Sequence, residues 1–152
     1  MAKIRVTKQF NFEMAHALWN HDGPCSNLHG HSYRLFVTVV GDSAEDISNP
    51  KNGMVIDFSD LKKIVNEAVI NEFDHAVVIS REVPEDAYKN MGQMLGKLKV
   101  MDYQPTCENI ITDFARLIGQ RLPGSLELFS LRLHETATSY TEWFASDNPK
   151  SE

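Results

Sequence analysis

A chain of 152 residues, 42% hydrophobic and 24% charged, has the size and balance of one soluble globular domain with a real core. Its net charge of −6 supplies no basic field for a phosphate backbone. That excludes a general nucleic-acid binder but leaves room for a small anionic ligand held by a few local cations.

No apolar run approaches membrane-spanning length, and Met1-Ala2-Lys3-Ile4-Arg5 has no signal core, so a cytoplasmic location is expected. Two cysteines in that context point to a reducing compartment, and a Cys25–Cys107 disulfide is not expected. No repeat or linker divides the chain. A single domain is expected over residues 1–145, with a polar, disordered tail over 146–152.

Phe10, Phe12, Met14 and His16 share one parity, the period of a strand with one face turned inward. A second strand follows, on which His29, His31, Tyr33, Leu35, Val37 and Val39 line one face. An irregular polar stretch leads to Met54-Val55-Ile56, read as a short third strand. Asp57 has the chemistry of a helix N-cap, and Phe58, Leu61, Ile64, Val65 and Ala68 form the core stripe of the helix it opens. That helix ends near Asn71, before Phe73-Asp74-His75 and the apolar run Ala76-Val77-Val78-Ile79.

Pro84, Gly92 and Gly96 interrupt residues 80 to 97, and a connection this long is functional or mobile. Leu98 to Met101 reads as extended. Thr106 caps a second helix, Glu108 lies favourably in its first turn, and Ile110, Phe114, Leu117 and Ile118 form its apolar stripe up to Pro123-Gly124. Phe129, Leu131, Leu133 and Glu135 then alternate, Thr136-Ala137-Thr138-Ser139 turns the chain, and Tyr140 to Phe144 returns. The order predicts an α+β domain with an antiparallel sheet and helices on one face.

The chemistry concentrates at Cys25-Ser26-Asn27-Leu28-His29-Gly30-His31 and at His16. Two histidines two apart on a strand face the same side, and His16 ends its own strand on the inward parity. Three imidazoles with an open position make a catalytic zinc arrangement, since structural zinc closes its sphere with cysteine. Cys25, in a loop flanked by Gly23-Pro24, is either a fourth ligand or a catalytic thiolate, the form that a neighbouring cation favours. His21 reads as a surface residue. Asp74-His75 is either an orienting pair for proton transfer or a surface pair. Glu135 sits on an inward parity at a strand end, where a carboxylate needs a partner such as paired N–H donors. His134 has the opposite parity and is expected to be exposed.

Cys25-x-x-x-His29-Gly30-His31, Phe12-x-x-x-His16, Asp57-Phe58, Asp74-His75, Pro105-Thr106-x-Glu108-Asn109 and Glu135-Thr136 occur in that order. From about residue 4 to 144 the chain resembles the 6-pyruvoyl-tetrahydropterin synthase / 6-carboxy-tetrahydropterin synthase family. The resemblance implies the tunnelling fold: a four-stranded antiparallel sheet and two helices per subunit. It also implies closure of the sheets into a barrel and a homohexamer built as a dimer of trimers.

The same resemblance assigns zinc (Zn2+) to His16, His29 and His31. Cys25 becomes the proton-abstracting base, and Asp74 and His75 the partner acid–base pair, often contributed across a subunit boundary. Glu135 anchors the pterin ring. Glu108 is either a second ligand contact or a structural cap. The implied substrate is 7,8-dihydroneopterin triphosphate. The Glu135-Thr136-Ala137-Thr138-Ser139-Tyr140 turn is similar to the queuosine-pathway branch, which releases acetaldehyde and triphosphate and leaves 6-carboxy-5,6,7,8-tetrahydropterin. The alternatives are pyruvoyl-tetrahydropterin synthesis with the side chain retained, a non-catalytic pterin- or purine-binding module with structural zinc, and a zinc hydrolase.

Overall fold

The computed structural model describes residues 2–149. In chain order the strands are β1 (Lys3–His16), β2 (His29–Asp42), β3 (Ala76–Ser80), β4 (Leu98–Met101), β5 (Glu127–His134) and β6 (Tyr140–Phe144). The helices are α1 (Phe58–Val65), α2 (Asn71–Phe73) and α3 (Cys107–Gly119). One sheet carries all six strands in the order β4-β3-β1-β2-β5-β6.

β1 and β2 pair antiparallel in unbroken register from Lys3↔Asp42 to His16↔His29. β5 pairs antiparallel with β2, and β6 with β5. This is the expected four-stranded antiparallel sheet. Two short strands extend it: β3 runs parallel to β1, and β4 parallel to β3. The apolar run at 76–79 lacks alternation because β3 is covered on both faces, as parallel strands are.

One element differs. Met54-Val55-Ile56 is not a strand. Its backbone closes a loop on Ala44, whose N–H donates to Met54 O at 2.9 Å while Gly53 N–H donates to Ala44 O at 2.7 Å. Three apolar residues are too few to build a ladder, and Ile56 instead packs against the core. Gly53 adopts φ +84°, which closes the turn.

Asp57 caps α1, its Oδ1 accepting from Ser59 N–H at 2.7 Å. A π-helical segment, Asn66–Ile70, joins α1 to α2 and keeps Ala68, Val69 and Phe73 buried. Thr106 caps α3, its Oγ1 accepting from Asn109 N–H at 3.2 Å. The apolar sides of α1 and α3 share one core with the inward sheet residues Phe12, Tyr33, Leu35, Val37, Leu131 and Leu133. The Phe114 ring lies 5.9 Å from Phe12 and 4.9 Å from Phe73, so truncating it to alanine is expected to cost about 3–5 kcal/mol.

Of the tail expected to be disordered, Ala145–Asp147 forms a short 3-10 turn, and residues 150–152 lie outside the described residues.

Candidate functional site

The long β1–β2 register builds the site. His16 and His29 are direct cross-strand partners, and His31 follows one row along, opposite Met14. All three project to the inward face of the sheet end. The ring centroids are 4.6 Å apart for His16 and His29, 5.2 Å for His16 and His31, and 4.8 Å for His29 and His31. One ring nitrogen from each falls within 4.8 Å of the others.

Backbone carbonyls orient two of the rings. His16 Nδ1 lies 2.8 Å from Pro105 O, and His29 Nδ1 lies 2.6 Å from Asn27 O. A carbonyl can only accept, so both Nδ1 atoms carry protons and both Nε2 atoms present lone pairs. Those two Nε2 atoms face each other at 3.1 Å. Two lone pairs at that distance repel unless a cation lies between them. The edge of a tetrahedron with Zn–N bonds of 2.0–2.1 Å is about 3.3 Å, close to this spacing. His31 Nε2 is buried and has no hydrogen-bond partner among the described residues. Burial pushes the His16 and His31 imidazoles below their ordinary pKa, favouring the neutral form that binds metal. The donor set fits a borderline dication such as zinc.

Glu135 Oε1 stands 3.7 Å from His31 Nε2, with the carboxylate about three-quarters covered. Glu135 follows the last residue of β5, its N–H donating to Ser139 O at 3.1 Å, so the β5–β6 turn holds it beside the histidines. Cys25 lies in a 3-10 turn, Pro24–Ser26, and is half-buried. Its carbonyl accepts from Leu18 N–H at 2.9 Å, while its thiol lies outside the cluster of histidine nitrogens. The two cysteines are free.

Asp74 and His75 form a real pair, Oδ1 to Nδ1 at 3.0 Å. Asp74 Oδ1 also accepts from Glu13 N–H at 2.9 Å, which holds its carboxyl below the usual range. The His75 ring is exposed, at 75% of its side chain, yet His75 and His31 line the same open cleft with Glu13, Gly30 and Ser32. Glu108 is exposed in the first turn of α3, and no described contact ties its carboxylate to the histidines.

His21 is exposed and outside the cluster. His134, expected to be exposed, is half-covered, its ring 5.7 Å from Phe36 and 4.7 Å from Tyr140. The aromatic neighbours on the helix-free face supply that cover.

Sequence reading missed the supports. Backbone carbonyls of Asn27 and Pro105 leave no side-chain signal. Gln104 clamps the loop carrying Cys25 through Trp19, accepting from its N–H at 3.1 Å and donating to its carbonyl at 2.7 Å. Tyr33, read only as core, stacks on Phe12 with ring centroids 5.0 Å apart, and its buried hydroxyl has no partner among the described residues.

The family model of 6-pyruvoyl tetrahydropterin synthase matches residues 5–145. The chain belongs to this family. A Haemophilus influenzae protein named 6-carboxy-5,6,7,8-tetrahydropterin synthase is 38% identical over 142 residues, covering 92% of this chain and 98% of the relative. A Synechocystis protein of the same name is 35% identical over 141 residues, covering 92% of each. The solved structure of Caenorhabditis elegans 6-pyruvoyl tetrahydropterin synthase superposes with a TM-score of 0.66 at 22% identity, covering 95% of this chain and 96% of that one. At that identity the likeness shows a shared fold. The six-stranded α+β architecture is thus the fold of the 6-pyruvoyl tetrahydropterin synthase family of enzymes. Among the described residues, no helix is long and apolar enough to cross a membrane.

Proposed function

We propose that this enzyme converts 7,8-dihydroneopterin triphosphate to 6-carboxy-5,6,7,8-tetrahydropterin, releasing acetaldehyde and triphosphate with one water consumed, as a step of queuosine precursor synthesis. The observation that carries the reading is the convergence of His16, His29 and His31 nitrogens within 4.8 Å beside the Glu135 carboxylate. The names of the relatives support the product. The Haemophilus influenzae and Synechocystis proteins, 38% and 35% identical over nearly their whole length, are both named 6-carboxy-5,6,7,8-tetrahydropterin synthase.

His16, His29 and His31 are the residues that would hold zinc. Bound there, it supplies Lewis acidity to the hydroxyl oxygens of the substrate side chain. Glu135 accepts from the N–H edge of the pterin and fixes the ring. Cys25 removes a proton from the side-chain carbon in its thiolate form. Asp74 orients His75, whose ring carries a proton to or from a side-chain oxygen. Glu108 keeps the dipole-facing position of a first-turn acid and stays a candidate second contact.

The assembly proposed is a homohexamer in which sheets close into a barrel. The open edges presented by β4 and β6 support that arrangement. Free Cys25 and Cys107 fit a reducing, cytoplasmic setting. Product identification tests the reading. Zinc-loaded protein given dihydroneopterin triphosphate should yield acetaldehyde and 6-carboxy-tetrahydropterin. A retained three-carbon side chain would assign pyruvoyl-tetrahydropterin synthesis instead, and binding without turnover would leave a pterin-binding module.

A further inference from the structure

Asp74 and His75 sit in a turn between α2 and β3, with no regular ladder of their own. His75 has φ +61°, a left-handed backbone that few residues with a β-carbon adopt. Two contacts act on one peptide group, the one joining Asp74 to His75. Its N–H donates to Glu13 O at 2.6 Å. Its carbonyl, Asp74 O, accepts from Lys97 Nζ at 2.5 Å. Both ends of that peptide plane are therefore held. The plane's orientation fixes ψ of Asp74 and φ of His75, and with them the 3.0 Å contact between the two side chains.

Lys97 comes from the long segment between β3 and β4. Its ammonium also donates to Asn71 O at 2.6 Å, a carbonyl at the C-terminal end of the α1–α2 helical run. Such carbonyls lack intrahelical partners and carry the negative end of the helix dipole, so a cation is well placed there. The Lys97 backbone is anchored in turn, its carbonyl accepting from Val77 N–H at 2.9 Å. Lys99, two residues on, reaches the neighbouring side chains instead: Glu72 Oε2 at 3.3 Å and the Phe73 ring at 4.9 Å.

We propose that Lys97 is a positioning residue that sets the Asp74–His75 geometry by gripping the carbonyl of the peptide between them. The 80–97 segment would then serve catalysis by delivering that ammonium. The inference rests on the reading of Asp74–His75 as the acid–base pair of the proposed reaction. The bland alternative is a helix-end cation that contributes only to folding.

The test uses the full zinc-loaded chain and the variants Lys97→Met, Lys97→Arg and Lys99→Gln. Steady-state kinetics with dihydroneopterin triphosphate is combined with amide hydrogen exchange of the peptide over residues 71–78. Lys97→Met should lower kcat about tenfold to a hundredfold with KM within about twofold, the scale expected when a catalytic group is misplaced. Zinc content should stay at the wild-type value and the melting temperature should fall by no more than a few degrees, because Lys97 is exposed and contributes to stability only as a helix-end cation. Exchange at the His75 amide should be about tenfold faster, since the peptide plane is then held only at its N–H end, by Glu13 O. Lys97→Arg keeps a cation in reach and should recover most of kcat, and Lys99→Gln should stay within about twofold of wild type.

Wild-type kcat in Lys97→Met would overturn the proposal. So would a loss that tracks the melting temperature, or an equal loss in Lys99→Gln. If the wild-type protein does not turn over this substrate, the proposed function fails by itself. The exchange at His75 then still decides: faster in Lys97→Met supports the positioning role, unchanged overturns it.

Discussion

The Nε2 atoms of His16 and His29 face each other across 3.1 Å, because the two residues are cross-strand partners at the last rung of the β1–β2 ladder. With each Nδ1 bound to a carbonyl, this is a pair of opposed lone pairs, and a dication relieves it. The wild-type protein should carry about one zinc per chain by elemental analysis. His29→Ala and His31→Ala should drop well below half of that while staying folded by circular dichroism, since both positions are partly exposed. His16 is buried, so His16→Ala should lose metal and melting temperature together.

The two thiols differ in accessibility. Cys25 is half-exposed in its turn, whereas Cys107 is buried, with Sγ 3.2 Å from Thr141 Oγ1 and its thiol pushed up to about 11 by burial. Native protein should take up one equivalent of an alkylating reagent at Cys25, and a second at Cys107 only on unfolding, as read by mass spectrometry. Cys25→Ala should retain zinc and lose at least about a hundredfold in turnover. Loss of zinc in that variant would make the thiol a ligand.

Asp74 titrates below its ordinary 3.8, chiefly because Glu13 N–H donates to its carboxylate. A depressed native pKa means that the unfolded chain binds the proton more readily. The stabilisation is complete above about 3.8 and disappears as the pH falls through the lower native value. Denaturant unfolding should therefore show Asp74→Asn less stable than wild type at pH 7, with the gap closing below pH 3.8.

Tyr33 buries a hydroxyl that has no hydrogen-bond partner among the described residues, beside His31 with ring centroids 5.6 Å apart. Removing an orphaned polar group relieves desolvation, worth about 1 kcal/mol. Tyr33→Phe should melt at the same temperature as wild type or a few degrees higher, measured without substrate. A clear drop would reveal a hydrogen-bond partner for that hydroxyl.

Much of this was legible in the sequence because period-2 alternation is strong where one face is buried. The inward row from Phe10 to His16 and the row from His29 to Val39 both sit as their parity requires. The caps at Asp57 and Thr106 were legible because their chemistry is local. β3 was not, since a strand covered on both faces shows no alternation, and Met54-Val55-Ile56 imitated a strand by composition alone. At the site, residue types pointed to the histidines, Cys25 and Glu135. The carbonyls of Asn27 and Pro105 and the reach of Lys97 were invisible, because they depend on tertiary placement of groups every residue or every lysine carries.

X-ray absorption at the zinc edge of the fully loaded protein reads the coordination sphere itself. Three imidazole nitrogens at about 2.0–2.1 Å are expected, completed by oxygen from solvent, with no sulfur. A sulfur scatterer at about 2.3 Å, or fewer than three imidazoles, would contradict a three-histidine centre.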